Sequence, residues 1–372
     1  MANYLTMVRM MVEPFDIAGL KASPDWMRGK AIPSYVKHPG NKNKPHYNTL
    51  GRYAAQQAGT TGIQDPASGP GGFIQGILPE GTSQMNEWDV GLHNLTQQVK
   101  QGGFTVPFDE GPMDKQRWMD DVRGTTISQI NLGNLPNQGS LNNTLHRLRQ
   151  GLDWNDMSAE EKIAFARIYY KNKKTGRQGG IRAGTGYNNN TAGSLRPFNV
   201  GQVDDLSHYA PLFADAELRQ GDATEALREW DVDTDKLLTS DPPYEGEPST
   251  YSGNFALQGY LRELQERLEE GQPMIAFDSA EVAPLYADIG LEPQIMNRPD
   301  NTAPTGKHRG IKPEMVAMGN IEGLEPLEVL RRFGHNKYAP DSKQQSELLD
   351  FQLSEPQNAF EHGWAVLKQG GQ

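Results

Sequence analysis

An α/β fold with an open, mostly parallel sheet is what the sequence predicts, on three observations. The first is Asp235-Lys236-Leu237-Leu238-Thr239, an apolar run of strand length that leads into Ser240-Asp241-Pro242-Pro243-Tyr244. The second is Gly62-Ile63-Gln64, a brief strand that ends in Asp65 and opens into a loop bearing Gly69, Gly71 and Gly72. The third is Asp89, 24 residues beyond Asp65, near the spacing at which doubly wound folds carry a ribose-binding acid. Open α/β sheets bind ligands at the carboxyl ends of their strands, and glycines there let a ligand approach the backbone.

The Asp-Pro-Pro-Tyr stretch has its own physical logic. Two prolines fix φ and remove two backbone donors, so the turn is stiff and its carbonyls point outward. Acid, free carbonyl and aromatic face together suit a planar base carrying an exocyclic amino group. On these residues alone, an ordinary proline-rich turn stands open beside that reading.

The remaining elements follow in order. Residues 1–36 show no sustained period and read as an N-terminal arm with one short helix. Lys37-His38-Pro39-Gly40-Asn41-Lys42-Asn43-Lys44 is a basic turn, either solvated or lying near a ligand cleft. Residues 100–160 are rich in Asn, Gln and Gly and read as an insertion, with helical pieces over Met113–Val122 and Leu141–Leu152. Ser158 with Glu161 three residues on is a helix-start signature. The helix continues through Ile163, Phe165, Ala166, Ile168 and Tyr169, apolar at helical spacing. From Arg167 to Arg182 there are six basic residues and no acid, with Tyr169 and Tyr170 interleaved. Lys171, Lys173, Lys174, Arg177 and Arg182 are therefore expected to contact phosphate, with a solvated face as the plainer alternative. Gly221-Asp222 is a further loop offering an acid. Phe255 to Glu270 is an amphipathic helix, Pro273 to Asp278 a strand, and Gln294–Met296 with Met315–Met318 an antiparallel hairpin. Phe360, Trp364, Val366 and Leu367 read as one face of a short helix, either docked on the body or free to bind a partner, so segment 358–368 is a candidate docking element.

Composition bounds the function. The 372 residues leave room for one large domain or two ordinary ones. With 36% hydrophobic residues and a mean hydropathy of −0.69, much of the length must be surface, loop or insertion. The absence of cysteine excludes disulfides and thiolate metal sites. No His/Asp/Glu cluster has metal-ligand spacing, so no metal is expected. Met1 to Glu13 does not read as a signal peptide, and no apolar run is long enough for a membrane span, so a cytoplasmic, intracellular protein is expected. The net charge of −11 does not exclude nucleic acid, which needs only a local basic surface.

In the order of these motifs the chain resembles the DNA adenine methyltransferases, which methylate an amino group with S-adenosylmethionine. Lys37-His38-Pro39-Gly40-Asn41-Lys42 resembles the family's N-terminal motif, and Asp65-Pro66-Ala67-Ser68-Gly69-Pro70-Gly71 its cofactor loop. Tyr170-Lys171-Asn172-Lys173-Lys174-Thr175-Gly176, Gly179-Gly180-Ile181-Arg182 and Phe198-Asn199-Val200 resemble its DNA-reading segment. Gly221-Asp222 and Asp241-Pro242-Pro243-Tyr244 complete the α-group order. Ala67 stands where the family usually carries Phe, and Arg182 to Gly201 is longer than the family's hairpin.

The resemblance implies a Rossmann-like class I methyltransferase sheet with an antiparallel C-terminal hairpin and an inserted, mostly helical target-recognition region. It divides the chain into an arm (1–34), a catalytic domain (35–99 and 202–320), an insertion (100–201) and a C-terminal extension (321–372). It implies S-adenosylmethionine held by Lys42, Asp65, Ala67, Gly69, Gly71, Asp89, Asp222 and Asp241, with Asp89 on the ribose. It implies double-stranded DNA as partner and Asp241, Pro242, Pro243 and Tyr244 as the catalytic motif. Methylation of an amino group on cytosine or RNA, and a catalytically inactive DNA-binding module of the same fold, are the alternatives.

Overall fold

The computed structural model describes residues 16–23, 25–29, 32, 34–36, 44–107, 115–135, 141, 144, 154, 156–175, 203–243, 255–299 and 311–341. Its sheet has strands β1 (Gly62–Asp65), β2 (Ser83–Glu87), β5 (Ala216–Gln220), β6 (Lys236–Ser240), β7 (Met274–Ser279), β8 (Gln294–Pro299) and β9 (Ile311–Gly319). They lie in the order β5-β2-β1-β6-β7-β9-β8. All neighbours are parallel except β9, which runs antiparallel to both β7 and β8. The protein is thus α/β with a mostly parallel seven-stranded sheet, compatible with a Rossmann-like fold. The expected hairpin is present, with Gln294 opposite Val316 and Pro299 opposite Ile311.

Alternation along the strands builds two cores. In β7, Met274 and Ala276 join one apolar cluster, while Ile275 and Phe277 join the other. A sheet buried on both faces needs near-continuous apolar strands, which is why β6 and β7 read as runs rather than as alternating strands. Helices α1 (Ile17–Ala22), α2 (Pro45–Ala58), α3 (Gly72–Ile77) and α4 (Val90–Lys100) occur early in the chain. Tyr47, Leu50, Phe73, Leu92 and Leu95 of α2–α4 pack in the larger cluster. Between β2 and β5 come α5 (Lys115–Gly124) and α6 (Ala159–Thr175), and between β5 and β6 comes α7 (Ala223–Glu229). Leu227 of α7 joins the smaller cluster with Tyr260 and Leu264 of α8 (Leu257–Glu269) and Tyr286 of α9 (Ala283–Asp288).

The insertion leaves and returns through a two-stranded antiparallel neck, β3 (Thr105–Pro107) against β4 (Val203–Asp205). Its α6 begins with the expected capping box. The Glu161 amide donates to Ser158 Oγ at 3.2 Å, and the Ser158 amide donates to Glu161 Oε2 at 2.9 Å. The body continues past residue 320, where the sequence places a separate extension. Leu327, Val329 and Leu330 of α10 (Pro326–Arg332) are buried in the larger core. On the N-terminal side, Ile32 of the expected arm is buried there as well. The docking segment 358–368 lies outside the described residues. Among the described residues no helix is long and apolar enough to cross a membrane, and no group of three or more His, Asp or Glu could hold a metal ion.

Candidate active site

The strand order reverses between β1 and β6. From β1 the chain steps outward to β2 and β5, then returns to place β6 on the other side. A reversal of this kind opens a crevice at the carboxyl ends of the two strands. Asp65 ends β1 and Asp241 follows β6, and the pairing of Gln64 with Leu238 makes the two acids near neighbours across that edge. Asp65 is fully buried. Asp241 is half-buried, and the Pro242 beside it is buried.

Behind β1, the loop turns on glycines that no other residue replaces easily. Gly69 and Gly71 have φ of 55° and 73°, in the left-handed region. A Cβ on Gly71 would also meet a Phe213 ring carbon at 2.6 Å. Ser68 anchors the loop, its amide and hydroxyl both donating to the Asn86 carbonyl at 2.9 and 3.0 Å. The Asn86 side chain, buried in β2, donates to the Pro66 carbonyl at 2.8 Å and to the Gly221 carbonyl at 2.9 Å. Arg219 donates to the Asn86 amide oxygen at 2.8 Å. One side-chain amide thereby holds together the loops that follow β1 and β5. Ala67 packs against the smaller core.

A second tier of acids lies on the far side of Asp241. Asp278, at the end of β7, is buried and accepts from the Tyr286 hydroxyl at 3.0 Å. Glu314 of β9, opposite Ser279, is buried and accepts from the Tyr47 hydroxyl. Burial first, then the charges of Asp241 and Glu314, raise the Asp278 carboxyl well above the usual range, while bonds from the Ser279 amide and Tyr286 oppose them. Tyr260 donates to the Ser240 hydroxyl at 3.0 Å, immediately before Asp241. The crevice is therefore edged by carboxyl groups set on apolar and phenolic walls.

Two expectations are corrected. The acid that ends β2 is Glu87, and Asp89, expected on the ribose, stands two residues beyond it at the start of α4. Asp89 caps α4, accepting from the Gly91 and Leu92 amides at 3.0 and 3.3 Å, and its other oxygen accepts from Tyr169 at 2.7 Å. Aspartate is a favoured N-cap, and both of its carboxylate oxygens are engaged here. Lys171 and Lys173 do not form a phosphate-contacting surface, because both are buried. Lys171 pairs with Asp121 of α5, and the Lys173 ammonium sits 5.4 Å from the Tyr169 ring centre.

Asp222 sits in the loop after β5, where it caps α7 by accepting from Thr224 and Glu225. Lys174 lies in the last turn of α6. Lys42, Arg177, Arg182 and Tyr244 lie outside the described residues, and Pro243 is the last described residue of the motif. The sequence reading missed Glu87, Asn86, Asp278 and Glu314 as site residues. Glu87 and Asp278 carried a usable signal, since each is the acid at the end of a strand-like run. No protein-family model matches the chain, and no curated protein matches it.

Proposed function

We propose that the chain is a methyltransferase that uses S-adenosylmethionine and modifies the exocyclic amino group of adenine in DNA. The observation that carries this reading is the placement of Asp241-Pro242 beside the Asp65–Gly71 loop, where the strand order reverses. A mostly parallel sheet ending in an antiparallel hairpin is also what the resemblance implies.

The residues at the crevice fit the cofactor by the chemistry of their donor set. Asp65 and Asp241 supply carboxyl groups beside a glycine turn. Glu87, at the end of β2, offers a carboxylate that vicinal hydroxyls can donate to. It takes the ribose role in place of Asp89. When bound, S-adenosylmethionine supplies a methyl group activated by its sulfonium.

The chain's own residues would supply positioning and charge. The Asp241 carboxylate and the Pro242 carbonyl accept hydrogens from the target amino group. This draws density onto a nitrogen whose lone pair is otherwise delocalised into the ring, and compensates positive charge as it builds there. Tyr244 supplies a stacking face for the base, which must first leave the duplex. Tyr260, through Ser240, holds the turn that carries Asp241, and the buried wall of Tyr260 and Tyr286 limits water behind it. No covalent enzyme intermediate is needed, so orientation and preorganised acceptors carry the rate.

DNA as the target rests on the resemblance and on Lys174, Arg177 and Arg182, since Lys171 and Lys173 no longer contribute. Expression in a host lacking adenine methylation, followed by modification-sensitive sequencing, tests the reading. Methylated adenine in a fixed sequence context supports it; methylated cytosine or unmodified DNA overturns it.

A further inference from the structure

Among the described residues, the insertion approaches the candidate cofactor crevice through the phenol of Tyr169. Tyr169 of α6 is 1% exposed. Its hydroxyl donates to Asp89 Oδ2 at 2.7 Å. The same carboxylate holds the first amides of α4, those of Gly91 and Leu92. The Asp89 amide in turn donates to Glu87 Oε1 at 2.7 Å. The Glu87 carbonyl is separately fixed by the Gly221 amide at 3.3 Å. A continuous series of hydrogen bonds thus runs from α6 through the α4 cap to the carboxylate that ends β2.

Packing makes this contact specific. A Cβ on Gly91 would lie 2.4 Å from the Tyr169 ring, so the ring sits directly against the first turn of α4. Helix α6 is pinned on both sides of that point. The Asn94 side-chain amide donates to the Lys162 carbonyl at 2.8 Å, and the Arg167 side chain donates to the Thr105 carbonyl at 3.1 Å. The Tyr170 hydroxyl donates to Asp204 in the neck at 2.8 Å. With its ring held this way, Tyr169 presents its hydroxyl to Asp89 in a fixed direction. A phenol spent only on burial would be replaced by phenylalanine without loss; this one donates to a buried carboxylate.

We propose that Tyr169 is a positioning residue for the cofactor ribose, acting through Asp89 to orient Glu87, so that the insertion contributes to cofactor affinity without touching the cofactor. The proposal rests on the methyltransferase reading above. If α6 shifts when the insertion engages DNA, the same bond links DNA occupancy to cofactor affinity, and that linkage is reciprocal.

The test measures equilibrium binding of S-adenosylmethionine and of an S-adenosylhomocysteine analogue lacking both ribose hydroxyls. It uses the full chain, wild type, Tyr169→Phe, Glu87→Gln and the double variant, with thermal melts to confirm folding. Tyr169→Phe should weaken S-adenosylmethionine about 3- to 10-fold, the scale of one net hydrogen bond. It should leave the hydroxyl-free analogue unchanged and add nothing in the Glu87→Gln background, because residues acting in series are not additive. Asp89→Asn keeps a good cap and should shift affinity in the same direction, which covers the case in which Tyr169→Phe fails to fold. Equal losses for both ligands, additive losses in the double variant, or no loss would overturn the proposal while leaving the methyltransferase reading intact. A wild-type chain that binds no S-adenosylmethionine would overturn both.

Discussion

Asn86 holds Pro66: the side-chain amide in β2 donates to the carbonyl that opens the β1 loop, at 2.8 Å. Its second bond, to Gly221, reaches the loop after β5. Replacing Asn86 by Leu would leave the buried Pro66 carbonyl, the half-buried Gly221 carbonyl and the Arg219 guanidinium each short of a partner. Buried groups so orphaned cost about 1–3 kcal/mol each. Asn86→Leu is therefore expected to lose roughly 2–4 kcal/mol in urea denaturation and to weaken cofactor binding.

Lys171 and Asp121 tie α6 to α5 inside the insertion. Removing the buried ammonium leaves the carboxylate without that cation, so Lys171→Met is expected to cost about 1–3 kcal/mol of stability. The salt dependence of DNA binding should stay at its wild-type slope. Arg177→Ala and Arg182→Ala should instead flatten the slope by about one phosphate contact each while leaving stability unchanged. Titrations across a salt series, beside denaturation curves, separate the two behaviours.

His93 and Asp278 give the protein opposite pH sensitivities. Burial lowers His93 from 6.5 to about 4, outweighing a raising interaction at Arg219. Between those values the unfolded chain binds a proton that the folded chain does not, so stability rises with pH through this window and is lost as pH falls. His93→Gln, which keeps polar contact with Gln97, is expected to flatten denaturant midpoints across that range.

Asp278 is raised by burial, so its folded form binds a proton more tightly than the unfolded chain. Its contribution is fully present below the unfolded carboxylate range and is lost as pH rises through the raised value. Asp278→Asn should remove that decline. Denaturant midpoints measured from mildly acidic to alkaline pH check it, and an unchanged slope would contradict it.

Much of this site was legible from local chemistry. β6 could be read because it is a short apolar run closed by an acid and a proline, β1 because its brief strand ends in an acid and a proline before a glycine loop, and the Ser158–Glu161 box because its signal spans three residues. The choice between Glu87 and Asp89 was not decided by spacing, since the two are two residues apart. It depends on where β2 ends and α4 begins, and the better cap at Asp89 was the available clue. The approach of Asp278 and Glu314 needs the β7–β9 register, which no local pattern carries. The basic segment misled because a charge count says nothing about which helix face is buried. Asp121, which neutralises Lys171, lies 50 residues away in sequence.

The central claim concerns Asp241, and single-turnover methylation by Asp241→Asn, beside equilibrium binding of S-adenosylmethionine, tests it most directly. The amide keeps the size and one acceptor oxygen but removes the charge that compensates the attacking nitrogen. Loss of one preorganised acceptor costs on the order of 100-fold or more in rate. The expected result is a folded variant, checked by circular dichroism, that binds S-adenosylmethionine and DNA as the wild type does and has lost most adenine methylation. A folded Asp241→Asn protein that methylates adenine at the wild-type rate would contradict the account.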